Sequence, residues 1–345
     1  MIRYFAGLLC LILNLSPINA QIGGTGVMPI MNLPLHARTM AWGGYMLAQP
    51  LSDVQYALDN PALLNNSLHG QYGASYGTVV PGVKIGGAGY AYSLKGGHNV
   101  SFHAQYLDYG EMKSFDAGGN SLGMITANEM KFLLGYSKEF DSRLVLGAQS
   151  GFTYAVLGPF VSTAAMLNLG AHYSRTDSGV HFGLSVKNIG MQLISYRGAD
   201  KESLPFQVLL GASYKPLHMP FRFHIALHSL QQFLGLTYNQ YLESNTWTLG
   251  NEDLGIPEAG LAEKLTRHLA LGGELTMGKH LGILIGYNHQ RRMEMAPEIR
   301  GGLAGFGWGI RFKVWKYHLT YSSASLFPGY NTNTLSLSLI PTFYN

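Results

Sequence analysis

The sequence predicts an all-β fold, a transmembrane antiparallel β-barrel of about fourteen strands with a short helical N-terminal plug, and three observations predict it. Charged residues make up 12% of the chain, about half of the usual globular share, while glycine reaches 44 and tyrosine 21. After the first twenty residues no apolar run is long enough to cross a bilayer as a helix, which needs about 20 residues. Beyond residue 67 the chain divides into segments of about ten residues that alternate apolar and polar positions, separated by Gly, Asn, Asp and Pro. With a mean hydropathy of only +0.07, alternation reconciles few charges with the lack of an apolar helix.

The chain opens with Arg3 as a lone charge, continues through the apolar run Phe5 to Leu15 and breaks at Pro17 before the small residue Ala20. That pattern is a secretory signal peptide over 1–20, removed on export. Its apolar run is too short for a spanning helix. The single cysteine, Cys10, lies inside it, so a mature chain from Gln21 has no thiol for disulfides, thiolate metal sites or cysteine nucleophiles.

Residues 21–66 lack clean alternation. Asp53 to Leu58 reads as a short helical segment that stops before Asn60-Pro61. Such irregular backbone does not span lipid, where every polar group needs a partner, so the region is expected inside the barrel as a plug. Inward glycines such as Gly305, Gly307 and Gly309 would leave room for it.

The barrel proper is expected over 67–345, with strands near 68–79, 84–95, 98–108, 126–138, 143–155, 163–175, 179–189, 204–215, 221–230, 267–277, 280–291, 302–314, 316–325 and 333–343. The clearest runs from Leu303 to Val314. Ala304, Phe306, Trp308, Ile310, Phe312 and Val314 fill one parity, while the other holds Leu303, Gly305, Gly307, Gly309, Arg311 and Lys313. The first row suits lipid and the second a crowded polar lumen. Leu335, Leu337 and Leu339 likewise alternate with Ser336 and Ser338, and Phe221, Phe223, Ile225 and Leu227 with Arg222, His224, Ala226 and His228. The last strand ends at Phe343-Tyr344, where an aromatic girdle is expected.

Lys95-Gly96-Gly97-His98 and Met277-Gly278-Lys279 read as tight turns. Longer connectors near 109–125, 190–203, 231–262 and 291–300 read as loops on the opposite side. The longest, 231–262, is expected to lead into a short helix from Pro257 to Leu265 carrying Glu258, Glu263 and Lys264.

Catalytic constellations are missing. No histidine spacing matches H-E-x-x-H, and Asp108, Glu111 and Asp116 fit no calcium-loop rule. Gly301 to Gly309 repeats glycine every second residue and lacks the lysine of a phosphate loop, so it reads as strand. His224 and His228 share the inward row with Arg222 and read as neutral lumen lining rather than a proton or anion site. A net charge of +4 with scattered Lys and Arg excludes a nucleic-acid surface. The chain is therefore expected to be no enzyme and to hold no cofactor.

Ala37-Arg38-Thr39-Met40-Ala41-Trp42-Gly43-Gly44, then Asp53, then Asn60-Pro61-Ala62 resembles the entry segment of FadL-like outer-membrane proteins, among them the PorV components of type IX secretion. Gly286 to Arg292, Gly301 to Phe306 and Thr334 to Leu339 look like the C-terminal third of the PorQ family of the same system. The resemblance implies a fourteen-stranded barrel with an N-terminal plug, seated in outer-membrane lipid beside PorU-, PorV- and PorZ-like proteins. Its implied work is to anchor the PorZ-like surface protein while cargo is processed and joined to lipopolysaccharide, the enzymatic step belonging to the PorU-like protein.

Three functions stand side by side at this point. A secretion scaffold would hold a partner through its long loops. A FadL-like transporter of hydrophobic molecules would need an apolar pocket, against which the inward Gly, Ser, His and Arg speak. A soluble secreted enzyme on a β-sandwich would require the apolar rows to pack on a second sheet.

Overall fold

The structure is a computed structural model that describes residues 27–49, 53–175, 177–196, 198, 201–233, 236, 260–294, 303–327 and 330–340. The expected signal peptide, the strand end at Phe343-Tyr344 and most of 231–262 lie outside the described residues.

Fourteen antiparallel strands close into one barrel. They are β1 (Tyr72–Val80), β2 (Val83–Leu94), β3 (His98–Phe115), β4 (Ser121–Glu139), β5 (Leu144–Leu157), β6 (Phe160–Arg175) and β7 (Val180–Ile194). The second half holds β8 (Gln207–Tyr214), β9 (Phe221–Leu227), β10 (Leu269–Met277), β11 (Leu281–Asn288), β12 (Phe306–Val314), β13 (Tyr317–Phe327) and β14 (Tyr330–Leu339). Each pairs with its neighbours in sequence, and β1 closes the ring on β14 from Tyr72↔Leu339 to Thr78↔Asn333. Closure leaves no edge along the wall, as an all-β chain in hydrocarbon requires.

The period-two pattern sets which side faces out. Phe306, Trp308 and Phe312 of β12 and Leu335 and Leu337 of β14 are exposed on the outer surface, whereas Gly307, Gly309, Ser336 and Ser338 are buried. Ile310 and Leu339 share the outer row and are partly covered. Phe221, Phe223 and Ile225 point out and His224 and Ala226 in. Among the described residues these outer rows meet no second sheet.

Connectors sort by end. One rim carries 95–97, 140–143, 176–179, 215–220, 278–280 and 315–316, all short; this is the turn end. Gly96, Gly97 and Gly278 adopt positive φ there, which glycine takes without a Cβ penalty. The other rim, the loop end, carries 195–206, 228–268 and 289–305 as well as brief hairpins.

Four expectations are corrected. Residues 109–125 are no loop: β3 and β4 continue through them as a paired hairpin. β7 likewise runs on to Ile194, inside the loop expected over 190–203. Helix α1 (Ala37–Ala41) opens the plug, and helix α2 (Leu261–Thr266) stands in the described part of the helix expected from Pro257 to Leu265, whose start lies outside the described residues; α3 (His289–Glu294) replaces the end of the expected eleventh strand and the start of the loop after it. Gly305 is not an inward strand glycine. At φ +79° it turns the chain into β12, where a Cβ would press on the Arg292 nitrogen at 2.7 Å.

Residues 27–68 fill the lumen and meet the whole ring. Val54 packs on Gly73 of β1, Leu35 on Gly87 of β2, and the Val54 carbonyl meets His103 of β3 at 3.0 Å. Ser137 of β4 donates to the Leu64 carbonyl, Pro61 lies on Gly147 of β5, Asn60 on Gly170 of β6 and Leu47 on Gly183 and Gly211 of β7 and β8. Trp42 stacks on His224 of β9 and packs on Gly272 of β10. Ala41 abuts Gly286 of β11 and Gly307 of β12, α1 packs on β13, and Ser336 of β14 accepts the Ala37 N–H. Wall glycines are what allow backbone to approach backbone here.

Candidate functional site

The candidate site is this plug-to-wall interface. Its chemistry follows from burying short irregular backbone inside the barrel: every polar group needs a partner from the wall or from the plug itself.

His36 caps α1, its Nδ1 accepting the Arg38 N–H at 3.0 Å. The helix ends where Gly44 donates to the Thr39 carbonyl. Gly43 and Gly44 hold φ of +78° and +98°, and a Cβ on them would meet the Tyr287 carbonyl at 2.9 Å and the Arg291 guanidinium at 2.5 Å. Gly43 therefore demands glycine by φ and by the backbone it faces, and Gly44 by its φ, since the Arg291 side chain can shift. Arg38 is buried between the rings of Trp42 and Tyr56, 5.6 and 5.9 Å from their centres. Its Nη2 lies 3.5 Å from Glu274 Oε1, which also accepts from Arg311 Nη2 at 2.9 Å. One carboxylate on β10 thus joins a plug arginine to a wall arginine.

Asp53 caps the 3-10 turn Val54–Leu58 through the Gln55 N–H, and its other oxygen takes His36 Nε2 at 3.0 Å and the Ser338 hydroxyl of β14. Burial by itself pushes this carboxyl up, but the facing His36 and these hydrogen bonds outweigh it and hold Asp53 below the usual carboxylate range. Asp59 behaves oppositely. Burial raises it despite Lys187 of β7 at 3.6 Å and the Thr39 hydroxyl at 3.1 Å.

Asn60 caps the next 3-10 turn, accepting the Ala62 N–H at 3.0 Å, with Pro61 at the first helical position. Its amide donates to the Leu47 carbonyl at 2.8 Å and to the Ala171 carbonyl of β6 at 3.2 Å. Pro61 and Ala62 then run along Gly147 and Gly170 so closely that a Cβ at Gly147 would strike their backbone and one at Gly170 the Asn60 Oδ1. The seven motif residues thus share one interface, but they act in three places: Arg38 with Gly43 and Gly44 at β9–β12, Asp53 at β1 and β14, and Asn60-Pro61-Ala62 at β5 and β6.

The wall partners were not singled out from the sequence. Glu274 and Lys187 are each a lone charge on the inward row of an otherwise uncharged stretch, and Glu129 and Lys131 are adjacent opposite charges on the inward row of β4; charge on an inward row is the signal that could have found them. Lys131 donates to the Ile30 carbonyl at 2.9 Å, and Glu129 accepts the Ile30 N–H at 3.0 Å and the Tyr109 hydroxyl at 2.7 Å. His224 and His228 are no free lumen lining: they stack on Trp42 and Tyr45 of the plug at 5.3 and 4.8 Å.

The loop-end interior differs from the expected polar lumen. Val79, Ile85, Leu107, Leu133, Ala155, Ala164 and Met166 point inward from β1–β6 and pack on Ile30, Met31 and Leu35. Beside this apolar cluster a cavity of about 290 Å³ is lined by Met28, Leu33, Pro34 and Leu326, with Asn32 and Arg291 as its polar groups. Among the described residues no group of three His, Cys, Asp or Glu could hold a metal, and Asp108 and Asp116 each accept backbone N–H groups of their own turns.

No family model matches the sequence, and no curated protein sequence matches it. Solved structures do match in fold. A deltaS2 mutant of the TodX monoaromatic hydrocarbon channel is similar with a TM-score of 0.53 and 11% identity, over 89% of this chain and 97% of that one. The Pseudomonas putida toluene transporter TodX is similar with a TM-score of 0.51 and 12% identity, over 88% and 95% of the two chains. A Pseudomonas aeruginosa FadL homologue aligns with a TM-score of 0.44 at 11% identity, over 90% and 98%.

Proposed function

We propose that this chain is a non-enzymatic barrel of a Gram-negative outer membrane that serves as a scaffold for a surface partner in type IX secretion. Its neighbours there would be PorU-, PorV- and PorZ-like proteins, with the PorZ-like protein as the one it anchors. The observation that carries this reading is the plug, which meets all fourteen strands and ties its charges to the wall. Passage of a solute through the plug-filled lumen would break buried ion pairs, each worth several kcal/mol once one partner is left alone. Long connectors gathered on one rim supply a surface for a partner, and the resembling motif residues all fall on the seal. Deleting 231–262 should release the partner from solubilised membranes while the barrel keeps its heat-modifiable migration. A partner that stays bound after each long connector is removed in turn would sink the reading.

A second reading is favoured by the apolar loop-end cluster and its cavity: passage of hydrophobic small molecules. The likeness in fold to the toluene transporter supports this reading more directly than the first. It predicts that liposomes carrying the barrel take up toluene faster than empty ones, and that a variant with a loosened plug changes the rate. Uptake equal to that of empty liposomes, from a barrel that also carries no lipid-like ligand, would discard it.

A further inference from the structure

At the turn end of the lumen, over β9–β13, positive charge exceeds negative. Arg222 of β9 is the direct partner of Glu274 on β10, and Arg311 of β12 that of Gly282 on β11. Gly282 leaves the space through which Arg311 crosses β11 to reach Glu274: a Cβ there would lie 2.9 Å from both Arg311 Nη2 and Glu274 Oε1. Lys313 follows Arg311 on the same inward row, about 7 Å nearer the turn, and His318 of β13 stands opposite it. Arg38 is buried, Arg222, Arg311 and His318 are partly covered and Lys313 is exposed, so the group opens toward the turn-end rim.

Two carboxylates answer these cations among the described residues. Glu274 is shared by Arg38 and Arg311, and Asp53 lies on His36 and Ser338. They are also the carboxylates within electrostatic reach of Arg38, Arg222 and His318. Set against Arg38, Arg222, Arg311 and Lys313, they leave an excess of two positive charges even with the histidines left aside. Arg222 is met by a neutral group: with its amide turned to satisfy both donors, Gln49 of the plug accepts from Arg222 Nε and Nη1 at 2.6 and 2.8 Å. Residues 50–52, Pro-Leu-Ser, bring no charge.

Donors are left over as well. Arg38 Nε and Nη1 and His318 Nε2 are buried with no hydrogen-bond partner. Arg311 gives Glu274 its Nε and Nη2 and keeps Nη1, and the Lys313 ammonium makes no hydrogen bond or ion pair among the described residues. A cation removed from water without a counter-charge costs free energy, and a mobile anion that enters the site offsets that cost.

We propose that Arg222, Arg311, Lys313 and His318 form a basin that binds an oxyanion of phosphate type, a dianion that matches the excess of two. Its oxygens take the left-over guanidinium and ammonium donors as charge-assisted hydrogen bonds. The inference is independent of both readings of function, because the basin lies at the opposite end of the lumen from the long connectors and the apolar cavity. A phosphate ion and the phosphomonoester headgroup of a lipid share this chemistry, and the experiment separates them.

The test uses the full chain purified in a maltoside detergent at low salt. Calorimetric titration with inorganic phosphate should show saturable binding that weakens as sodium chloride is raised. Lys313→Gln and Arg222→Gln should each weaken it about ten-fold, the loss of one hydrogen bond to a charged group. Lys95→Gln, exposed on the far side of the same rim, should leave it unchanged. In the wild type alone, phosphate should slow amide exchange at 36–42 and 53–55, beside Arg38 and Asp53, while chloride at equal ionic strength does not; this arm stands even where a variant fails to fold. In phosphatidylcholine nanodiscs, phosphate binding that is lost once phosphatidic acid is added supports the basin with a lipid headgroup as its occupant, and binding that is kept supports it with a soluble anion. No saturable phosphate binding by the wild type, equal weakening by Lys95→Gln and Lys313→Gln, or the same exchange in phosphate and chloride would each overturn the proposal.

Discussion

The two ends of the lumen are built from different chemistry. Toward the turn end the plug is held by charge and hydrogen bonds, with Arg38, Glu274 and Arg311 in one group and His36, Asp53 and Ser338 in another. Toward the loop end, over β1–β6, Ile30, Met31 and Leu35 lie among inward aliphatic side chains. Directional bonds fix the position and register of irregular backbone, whereas aliphatic contacts exclude water without specifying a geometry. The difference teaches that the turn end is held by plug side chains paired with wall side chains, whereas at the loop end Lys131, Glu129 and Asn188 hold the plug at Ile30 and Asn32 inside an aliphatic surround.

The largest way to break this contrast is Glu274→Gln. Arg38 would then be buried, and Arg311 partly buried, without that counter-charge, at a cost of about 3–5 kcal/mol. Limited proteolysis should cut the plug of this variant faster while the barrel survives; unchanged protection would show that the anchor lies elsewhere. Leu107→Ala removes a fully buried side chain of the loop-end cluster and should cost about 3 kcal/mol. Exchange should rise at 27–35 and stay slow at 53–64, so a uniform rise would erase the distinction between the ends. Gly183→Ala pushes a methyl group onto the Leu47 carbonyl and should cost about 2 kcal/mol, read as a lower urea midpoint, against near-neutral Gly86→Ala, whose Cβ comes no nearer than a Tyr76 ring carbon at 3.5 Å.

The smallest effect is set by pH. Asp53 titrates below its ordinary value in the fold, so its contribution is fully present above the ordinary carboxylate value of about 4 and is lost as pH falls through the folded value. Asp59 is raised by burial, so its contribution has the opposite sign, present at low pH and lost as pH climbs through its folded value. Protease protection of the plug should therefore fall below about pH 4, and Asp53→Asn should remove that acid step. An acid step that persists in the variant would assign it to another group.

Much of the wall was legible. The rows Phe306-Trp308-Ile310-Phe312 and Leu335-Leu337-Leu339 show their outward direction in the order of residues alone, because successive side chains of a strand take opposite faces. The hairpin 109–126 was not legible: Gly110, Gly118, Gly119 and Gly123 read as turn residues, yet Gly110 serves a bulge and Gly123 pairs with Ser114 inside the ladder. The polar lumen was misjudged for a related reason. Ser, His and Gly dominate the inward rows that meet the plug backbone, while Ile85, Leu107 and Leu133 sit in strands whose outward rows are apolar too, so contrast between the rows vanishes there.

Composition, alternation and turn residues by themselves determined that this chain closes as a barrel around an irregular N-terminal segment, since each of those signals acts between residues a few positions apart. Only the tertiary structure decided that Arg38 meets Glu274 across the lumen, that Asp53 meets Ser338, and that β3 and β4 rise past their neighbours. Those partners are separated by hundreds of residues or by the relative heights of adjacent strands, and such pairings exist only once the ring has closed and a register has been chosen.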